Sequence, residues 1–346
     1  MKEIIKEEEI KNIICKIFDS INVKTDIYIP VVNGLVESSL RGVDSHGIRL
    51  VPHYVNGVLS GRINSNPRIK IKKTSLTTMV LDADNTFGIT AGAKAMENAI
   101  KMAKENGTGV VVVKNSSHFG AAAIYGLMAA RENMVSYSFT NVDSLVVPYG
   151  GKEPFLGTNA FCFTAPMEGE SPFCLDMATT VMSLNKLMMF KRQNKKLESG
   201  LAVDKNGNET TDPKLAERLI HFGNYKGYGI ALMIEMMTSL MSGMPYGPNI
   251  PHMFPLDSQR RRLSHFFMAI DIKRFQPIKI YKKRMKCIAD ELRSIIPASG
   301  FSKVMIAGDR EKSFYKNRIK NGIPLTKEII KDYNKLLKKL NINFSL

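Results

Sequence analysis

Tryptophan is absent from this 346-residue sequence, which contains only four cysteines and six histidines. The cysteines form no CxxC pair, so neither a disulfide framework nor a cysteine-based metal site is indicated. The longest apolar stretch, residues 228–244, is interrupted by polar side chains and is shorter than the roughly 20 residues of a membrane span. The charged N-terminus lacks the apolar segment of a secretory signal. We therefore expect a soluble, cytoplasmic protein without a bound metal.

Basic residues outnumber acidic residues by 17, and this excess first suggests an anionic partner. Residues 269–346 contain 19 lysines and arginines against 7 acidic residues, so most of the excess lies near the C-terminus. Lysines alternate there with apolar positions, which is typical of the solvated face of an amphipathic helix. Because no zinc-finger spacing or RNA-binding strand motif is present, nucleic-acid binding is only the weaker alternative.

The hydrophobic patterning predicts an α/β protein long enough for two domains. A helix at 90–106, a buried strand at 109–113, a helix at 121–131 and a strand at 134–140 follow one another directly. The other predicted elements are a helix through residues 10–21, a helix from about Pro30 to Arg41 with Pro30 in its first turn, strands within 70–83, and helices at 227–241, 278–296 and 326–340.

Two histidines, His46 and His118, lie in polar loops beside glycines, where functional residues concentrate. His118 follows the buried strand at 109–113 and precedes a helix, so we expect it at the carboxyl edge of the sheet, where open α/β sheets bind ligands. A helix N-terminus also disfavours a charged imidazole, and a general base must be neutral. For either histidine, a purely structural role is the alternative.

Three further residues have both a functional and a structural interpretation. Arg49, three residues after His46, suits a bidentate grip on a carboxylate, but a surface salt bridge is equally compatible with the sequence. Asp176 suits the orientation of a histidine, a hydrogen bond to a ribose hydroxyl, or a helix cap. Lys226 opens a helix beside glycines, as in phosphate sites, yet no complete GxGxxG fingerprint, P-loop, GxSxG or metal-binding helix motif is present.

Taken together, the motifs resemble those of the malate/L-lactate dehydrogenase-type oxidoreductases, a family distinct from the Rossmann lactate dehydrogenases. The resemblance begins at Arg41-Gly-Val-Asp-Ser-His-Gly-Ile-Arg49 and continues in family order to residue 324. The further matching motifs are Asn115-Ser-Ser-His-Phe-Gly120, Val147-Pro-Tyr-Gly-Gly151, Gly157-Thr-Asn159, Leu175-Asp-Met-Ala-Thr-Thr180, Thr210-Thr-Asp-Pro213, Lys226-Gly-Tyr-Gly229, Ala269-Ile-Asp271, Pro297-Ala-Ser-Gly300 and Gly322-Ile-Pro324.

The resemblance implies an α/β fold with a non-Rossmann NAD(P)-binding domain built on a mixed sheet, at residues 76–265. Residues 1–75 with 266–346 would form a discontinuous helical, α+β substrate domain, and the protein would be a homodimer. The implied cofactor is NAD or NADP, with NAD slightly favoured. By similarity, His118 is the proton acceptor with His46 as its rival, and Ser45 and Arg49 bind the substrate. The implied cofactor-binding residues are Val142, Asp176, Met177, Ala178, Lys226, Gly308, Asp309 and Arg310.

The function implied is hydride transfer between the nicotinamide and a small 2-hydroxy acid or its 2-oxo acid, of the malate, lactate, ureidoglycolate or sulfolactate type. The alternatives are reduction of a cyclic imino acid or a diketo sugar acid, and a degenerate family member acting as a basic binding protein. Departures from the family cluster near the expected cofactor site. A Gly-Gly pair is replaced by Gly223-Asn224, and a Pro-Gly-Glu turn by Ala307-Gly-Asp309. Val142 offers only its backbone for a hydrogen bond.

Overall fold

A computed structural model describes residues 3–254 and 257–344 of the chain. The helices within these residues are Glu7–Ser20 (α1), Thr25–Leu40 (α2), Val51–Leu59 (α3), Gly88–Asn106 (α4), Ala123–Arg131 (α5), Leu184–Gln193 (α6), Tyr225–Glu235 (α7), Ile278–Ser294 (α8), Asp309–Asn321 (α9) and Lys327–Lys339 (α10). The strands are Glu3–Ile5 (β1), Lys70–Lys73 (β2), Thr78–Asp82 (β3), Thr108–Ser116 (β4), Met134–Thr140 (β5), Phe161–Ala165 (β6), Phe173–Met177 (β7), Ala202–Val203 (β8), Arg218–Leu219 (β9), Leu263–Asp271 (β10) and Ile323–Leu325 (β11).

Seven strands form one mixed sheet in the order β2-β3-β4-β10-β5-β6-β7. Only β3 and β4 pair in parallel, and every other neighbouring pair is antiparallel. The α/β class with a mixed sheet is thereby confirmed. Strand β10, which the sequence patterning did not single out, lies at the centre between β4 and β5.

Strand β4 shows why a continuous apolar run marks a strand covered on both faces. Val111 and Val113 pack with helix α4, in the same core as Ala95 and Ala99. The intervening Val112 points to the opposite face, where it packs with Phe266 of β10 and with α7. Because side chains alternate along a strand, both faces of this one need apolar residues.

A second core joins the two ends of the sequence. Helices α1, α2, α3 and α10 contribute residues such as Ile14, Leu35, Tyr54 and Leu337, all almost fully buried. Strands β1 and β11 pair beside these helices and tie the first described residues to residues 323–325. This helical core is separate from the core between α4 and the sheet. Among the described residues, no helix is long and apolar enough to cross a membrane.

Helix α2 begins earlier than the sequence predicted. The prediction placed Pro30 in the first turn, whereas the helix starts at Thr25 and Pro30 lies inside it. The earlier start buries Ile27 and Tyr28 in the helical core and places Asp26 in the first turn, where an acidic side chain is favourable. These contacts offset the backbone hydrogen bond that a proline inside a helix cannot make.

The apolar helix predicted at 227–241 is divided in two. Regular α-helix ends at Glu235, and a π-helical turn continues from Met236 to Leu240. Such turns insert an extra residue into a helix and often lie at functional sites. This one follows Glu235, whose side chain is buried.

Candidate active site

Three strands bring candidate residues to one edge of the sheet. Strand β10 runs antiparallel to β4 and β5, so its first residues pair with the last residues of both neighbours. Leu263 pairs with Ser116, and His265 pairs with Thr140. The segments that follow β4 and β5 and the segment that precedes β10 therefore meet. His118, two residues beyond the end of β4, lies at this edge, as the sequence predicted.

The imidazole of His118 is fixed from two sides. Its Nδ1 lies 2.7 Å from the hydroxyl of Tyr54, a fully buried residue of α3. On the other side, the ring of His46 stacks on it with 5.6 Å between the ring centroids. Burial, together with the neighbouring His46 and His53 rings and the charge of Arg261, holds the pKa of His118 well below its ordinary value. The ring is therefore neutral at physiological pH, as a general base requires.

His46, Ser45 and Arg49 lie together in the loop between α2 and α3. The Ser45 hydroxyl is 2.9 Å from Nδ1 of His46. Burial and the charge of Arg49 lower the pKa of His46 to about 4. Arg49 itself is exposed, and none of the residues in the described ranges forms an ion pair or hydrogen bond with its side chain. An accessible guanidinium with no carboxylate partner suits recognition of an anion.

The same loop is held rigidly from two directions. Arg318 of α9 donates to both carboxylate oxygens of Asp44, at 2.6 and 3.0 Å. At Gly47 a side chain cannot be accommodated, because a Cβ there would lie 2.1 Å from Oγ of Ser39 on α2. The glycine thus lets the loop pack against α2 and fixes where the neighbouring His46 points.

Asp176 lies near the end of the edge strand β7. One of its carboxylate oxygens accepts a hydrogen bond of 2.9 Å from the backbone N–H of Ala123, the first residue of α5. The surrounding protein reduces hydration of the charged form and raises the pKa of Asp176 to about 6. Met177 and Ala178, which follow it, are partly exposed. The three predicted cofactor residues thus form one accessible strip along the sheet edge.

Backbone and side-chain hydrogen bonds connect this strip to the other predicted cofactor segments. The N–H of Val142 donates to the amide oxygen of Asn159 at 3.2 Å. Thr179 donates to the carbonyl of Thr158 at 2.9 Å and accepts from the N–H of Phe222 at 3.0 Å. Phe222 leads into α7, where Lys226 is exposed in the first turn. The engaged N–H of Val142 leaves only its carbonyl for an additional hydrogen bond.

The turn at Gly308 packs directly against β7. Its neighbour Ala307 accepts a hydrogen bond from the N–H of Cys174 at 3.4 Å. A Cβ at Gly308 would lie 3.2 Å from that same nitrogen, so glycine allows the close approach of the two chains. The turn therefore lies two residues along β7 from Asp176, which supports the sequence-based grouping of these residues.

The two residues after Gly308 differ in how accessible they are. Asp309 is engaged by Arg293 at 2.5 and 3.0 Å and lies 3.6 Å from Lys312, and these cations hold its pKa below the ordinary value against the effect of partial burial. Its carboxylate therefore anchors α9 to α8. Arg310 is exposed and lies over the ring of Phe314, 5.6 Å from the centroid. Of the pair, Arg310 has the side chain that a ligand can reach.

Asn224, immediately before α7 and at a position where the family resemblance implies glycine, has a backbone conformation that favours glycine. Its φ and ψ are 56° and −120°, and the N–H of Lys226 donates to the carbonyl of Gly223 at 3.2 Å. This is a type II′ turn with Asn224 at the first central position, where glycine dominates. The substitution thus strains the backbone at the start of the helix that presents Lys226.

We expect Asn224→Gly to raise the free energy of unfolding by about 1 kcal/mol, because the strain removed exceeds the extra chain entropy of glycine. Urea denaturation measures the change. The matched control is Asn194→Gly, at a helix end where φ and ψ are 48° and 37°. Asparagine tolerates that left-handed helical conformation, so the control should change stability by a few tenths of a kcal/mol at most. Equal effects of the two substitutions would contradict the strain at Asn224.

A buried polar network lies under the cofactor strip. Glu235 is 3% exposed. One carboxylate oxygen accepts from the Ser239 hydroxyl and the Gly247 N–H, at 3.0 and 3.1 Å, and the other accepts from Asn159 at 2.8 Å. Within the described ranges no cation pairs with it. Through Asn159, this carboxylate fixes the backbone at Val142.

Several residues at the sheet edge were not anticipated from the sequence. Asp143, directly after Val142, forms an ion pair of 2.5 Å with Arg261, and both side chains are 4% exposed. Tyr54 and His53 lie on α3, facing the same edge as His118. Sequence patterning gave no signal for this pairing, since Arg261 is one of three consecutive arginines in a basic chain.

The strip from Asp176 to Ala178, the exposed Lys226 and the glycine-lined turn at Gly308 fit a dinucleotide. Lys226 lies at a helix N-terminus, where phosphates bind, and Asp176 offers a carboxylate to a ribose hydroxyl. The absence of a Cβ at Gly308 brings the turn against Cys174 of β7, which places the exposed Arg310 near the strip. No group of three or more His, Cys, Asp or Glu side chains suited to a metal ion occurs in the described part of the chain.

Comparison with known proteins identifies the relatives of this chain. Residues 5–334 match the family model described as malate/L-lactate dehydrogenase. A malate dehydrogenase of Pyrococcus abyssi is 33% identical over 351 residues, covering 98% of this chain and 95% of that protein. The ureidoglycolate dehydrogenase (NAD(+)) of Escherichia coli K12 is 32% identical and covers 86% of each chain. The solved sulfolactate dehydrogenase of Methanocaldococcus jannaschii is 34% identical, with a TM-score of 0.92 over 99% of this chain and 98% of that one.

Proposed function

The chain belongs to the malate/L-lactate dehydrogenase family and is an NAD(P)-dependent oxidoreductase of hydroxy acids, and we propose that His118 is its proton acceptor. The observation that carries this proposal is the neutral His118, fixed by Tyr54 and His46 at the sheet edge that also carries the Val142 segment. The reaction is reversible removal of a hydride from C2 of a small 2-hydroxy acid, with loss of the hydroxyl proton.

His118 takes the hydroxyl proton on Nε2 as the C2–H bond breaks and the carbonyl forms. For Nε2 to be free, Nδ1 must carry the proton and donate it to the Tyr54 oxygen, 2.7 Å away. Burial raises the pKa of Tyr54 well above its usual range, so the phenol stays neutral throughout. Tyr54 thus selects the tautomer and orientation of the base, as a carboxylate does in many hydrolases.

Arg49 binds the carboxylate of the substrate, and Ser45 and His46 complete that side of the site. The guanidinium is exposed and has no ion-pair partner among residues 3–254 and 257–344, so two of its N–H groups can form a bidentate pair. His46 stacks on His118 and is neutral, because burial and the charge of Arg49 lower its pKa to about 4. It is the rival proton acceptor.

Asp176, Met177, Ala178, Lys226, the carbonyl of Val142 and the turn Gly308-Asp309-Arg310 hold the cofactor. When bound there, the nicotinamide supplies the acceptor for the hydride. Lys226 and Arg310 are exposed cations for phosphate groups. Asp309 acts indirectly, since its carboxylate is occupied by Arg293.

The direct test is titration of NADH and NADPH with the purified protein, followed by fluorescence, together with retention on a polyanion column. Fluorescence change without salt-sensitive retention supports the enzyme. Retention without cofactor binding would identify a basic binding protein instead. A panel of malate, lactate, ureidoglycolate, sulfolactate and cyclic imino acids with both cofactors then identifies the substrate, and turnover of imino acids alone would overturn the hydroxy-acid assignment.

Arg49→Lys should raise the substrate KM on the order of tenfold with a smaller effect on kcat, because lysine cannot form the bidentate pair. Steady-state kinetics with the best substrate of the panel measure this effect. Arg284→Lys, at an exposed arginine of α8, is the matched control and should leave KM unchanged. A KM unaffected by Arg49→Lys would remove the arginine from the substrate site.

The two-domain division is proposed with adjusted limits. The proposed cofactor domain of residues 76–265 is extended to Lys70 and Asp271, a choice supported by the membership of β2 and β10 in the seven-stranded sheet. Residues outside that range supply the separate helical core of α1, α2, α3 and α10. A sheet with one parallel pair differs from the mostly parallel Rossmann sheet, which supports a non-Rossmann cofactor domain.

We further propose a homodimer that acts in the cytoplasm. Large apolar side chains are exposed along α7 and the following π-helical turn, including Met233, Met236, Leu240 and Met241 at 42–57%. A contiguous exposed apolar surface of this kind is typical of protein interfaces. Light scattering coupled to size-exclusion chromatography measures the mass of the particle, and a mass of one 38.7-kDa chain would contradict the dimer.

A further inference from the structure

Glu235 is a buried carboxylate without a cationic partner. Its side chain is 3% exposed and lies at the end of α7, where the π-helical turn Met236–Leu240 begins. Among residues 3–254 and 257–344, no lysine, arginine or histidine forms an ion pair with it. Burial of an unpaired charge costs free energy, and a neutral side chain would avoid most of that cost. The charge at this place therefore indicates a role beyond packing.

Every group that contacts the two carboxylate oxygens is a hydrogen-bond donor. The N–H of Gly247 donates to Oε1 at 3.1 Å, and the side-chain amide of Asn159 donates to Oε2 at 2.8 Å. The Ser239 hydroxyl, 3.0 Å from Oε1, accepts from Nδ2 of Asn141 at 2.7 Å and so directs its own proton to Glu235. Because no acceptor remains for the proton of a carboxylic acid, this carboxylate is charged.

Backbone N–H groups fix the orientation of both amides. The N–H of Ser264 donates to Oδ1 of Asn141 at 2.9 Å, and the N–H of Val142 donates to Oδ1 of Asn159 at 3.2 Å. A backbone N–H can only donate, so each amide oxygen faces the backbone and each NH2 group faces the side of the carboxylate. The donors around Glu235 are therefore fixed by the fold.

The sheet order locates the nicotinamide end of the proposed cofactor site. Strand β10 separates β4 from β5, and β6 separates β5 from β7. The proposed cofactor residues extend along the sheet edge from Val142, after β5, to Asp176 on β7, whereas His118 follows β4. Because the hydride passes between the nicotinamide and a substrate held at His118, we place the ring at the Val142 end and the adenosine towards Asp176.

A single side-chain amide separates Glu235 from the nicotinamide end. Asn159, which is fully buried, contacts the carboxylate at 2.8 Å with its nitrogen and the Val142 N–H at 3.2 Å with its oxygen. Two hydrogen bonds and one amide group place the charge about 10 Å from a ring at the Val142 carbonyl. At that separation and an effective dielectric constant of about 20, one negative charge changes the affinity for a cation on the order of tenfold.

We propose that Glu235 makes the site favour the oxidised nicotinamide ring, which is positively charged, over an uncharged ring such as the reduced one. This inference rests on the proposed function. Glu235 does not contact the ring and acts through its charge. The oxidised ring is the cation that the carboxylate lacks among the described residues. When the ring accepts the hydride it loses its charge, so the reduced cofactor is held less tightly and dissociates more readily.

The first test uses the unaltered protein. Calorimetric titration compares NAD⁺ with the dinucleotide in which benzamide replaces nicotinamide, since that ring has the same shape and carboxamide but no charge. NAD⁺ should bind about tenfold more tightly. The corresponding NADP forms replace these ligands for a protein specific for NADP. The comparison needs no substitution, so it tests the proposal even where a variant at Glu235 does not fold.

Glu235→Gln removes the charge and retains the shape of the side chain. It should raise the ratio of the dissociation constant of NAD⁺ to that of NADH on the order of tenfold. Contacts with the adenosine and the pyrophosphate are common to both ligands and cancel in this ratio. The shift should persist in about 0.5 M NaCl, because salt screens buried charges much less than exposed ones.

Ser239→Ala is the matched control, because Glu235→Gln also weakens the network by opposing two NH2 groups at Asn159. The alanine variant removes a hydrogen bond from the same carboxylate and leaves the charge in place. It should keep the wild-type ratio of dissociation constants. An equal shift in Ser239→Ala and Glu235→Gln would overturn the proposal, since loosening of the network and not loss of charge would then be the cause.

The outcomes separate this inference from the proposed function. A wild-type protein that binds neither NADH nor NADPH would overturn both. Cofactor binding with a ratio that Glu235→Gln leaves unchanged, or with NAD⁺ bound no more tightly than its benzamide analogue, would overturn the role of Glu235 alone. A preference for NAD⁺ over the analogue, together with a ratio that shifts in Glu235→Gln and not in Ser239→Ala, is the expected result.

Discussion

His118→Ala should lower kcat by about 10²- to 10⁴-fold, the usual contribution of a positioned general base. The alanine variant retains the sheet, the cofactor strip and Arg49, so KM for the substrate and the affinity for NADH should change much less. Its circular dichroism and unfolding midpoint should stay close to those of the wild-type protein, since His118 lies beyond the end of β4 and belongs to neither of the two large apolar cores. Single-turnover kinetics then separate the chemical step from product release.

His46→Ala is the informative comparison, because the two rings are stacked at 5.6 Å and both are neutral at physiological pH. Only His118 has the Tyr54 hydroxyl at 2.7 Å to fix its tautomer. We therefore expect His46→Ala to retain more activity than His118→Ala, and Tyr54→Phe to impair turnover through the base that it orients. A larger loss of turnover in His46→Ala than in His118→Ala would indicate that His46 is the base.

Asp143→Ala should lower the free energy of unfolding by about 3–5 kcal/mol, the cost of leaving one partner of a buried ion pair without the other. The substitution leaves the 4% exposed Arg261 without its carboxylate. It also removes the acceptor of the Met253 N–H at 3.2 Å, which holds the segment before residue 255 against the sheet edge. Urea denaturation followed by circular dichroism measures the loss.

Asp257→Ala serves as the control for that experiment. Asp257 also pairs with a buried arginine, at 2.5 Å, but its own side chain is 53% exposed. Water can replace an exposed carboxylate, so this variant should lose far less stability than Asp143→Ala. Similar losses of unfolding free energy in the two variants would show that burial of the Asp143–Arg261 pair does not increase its contribution to stability.

Local patterns predicted the parts of the fold that depend on neighbouring residues. Strand β5 has the predicted limits, Met134–Thr140, because an alternating apolar run ends there at polar residues. Strand β10 was not predicted, although it lies at the sheet centre. Its partners are remote in sequence: His265 bonds Thr140 and Ser116 across 125 and 149 residues. No local pattern carries that information.

In the candidate site, too, residues marked by local sequence patterns were predicted, and residues whose contacts are remote in sequence were not. His118 was predicted from a strand followed by a polar, glycine-flanked loop, and His46 and Arg49 from their shared loop. Tyr54 was not predicted as a site residue, because in the sequence it is part of the apolar run of α3. Its hydroxyl contacts His118 only because α3 packs near the end of β4 in the fold. Arg261 was not predicted from the sequence for a different reason. In a basic chain, nothing marks which arginine will be buried against an aspartate 118 residues away.

The substitutions near the cofactor strip change single contacts and leave the arrangement intact. Asn224 replaces a glycine yet keeps the turn before α7, with strain in its backbone. Val142 lacks a side-chain hydroxyl, and its N–H is held by Asn159. The side-chain amide of Asn159 in turn donates to the buried carboxylate of Glu235. We therefore propose that the variation of this chain tunes cofactor affinity and leaves the proposed route of the proton through His118 unaltered.

The most direct measurement follows the hydrogen atom itself. Hydroxy acids deuterated at C2 are incubated with the protein and the oxidised cofactor, and the reduced cofactor is analysed by mass spectrometry. Transfer of the C2 hydrogen as a hydride predicts one deuterium per reduced nicotinamide ring, together with slower turnover of the deuterated substrate in single-turnover experiments. Reduced cofactor that contains no deuterium, or no reduction with any hydroxy acid of the panel, would contradict hydride transfer at this site.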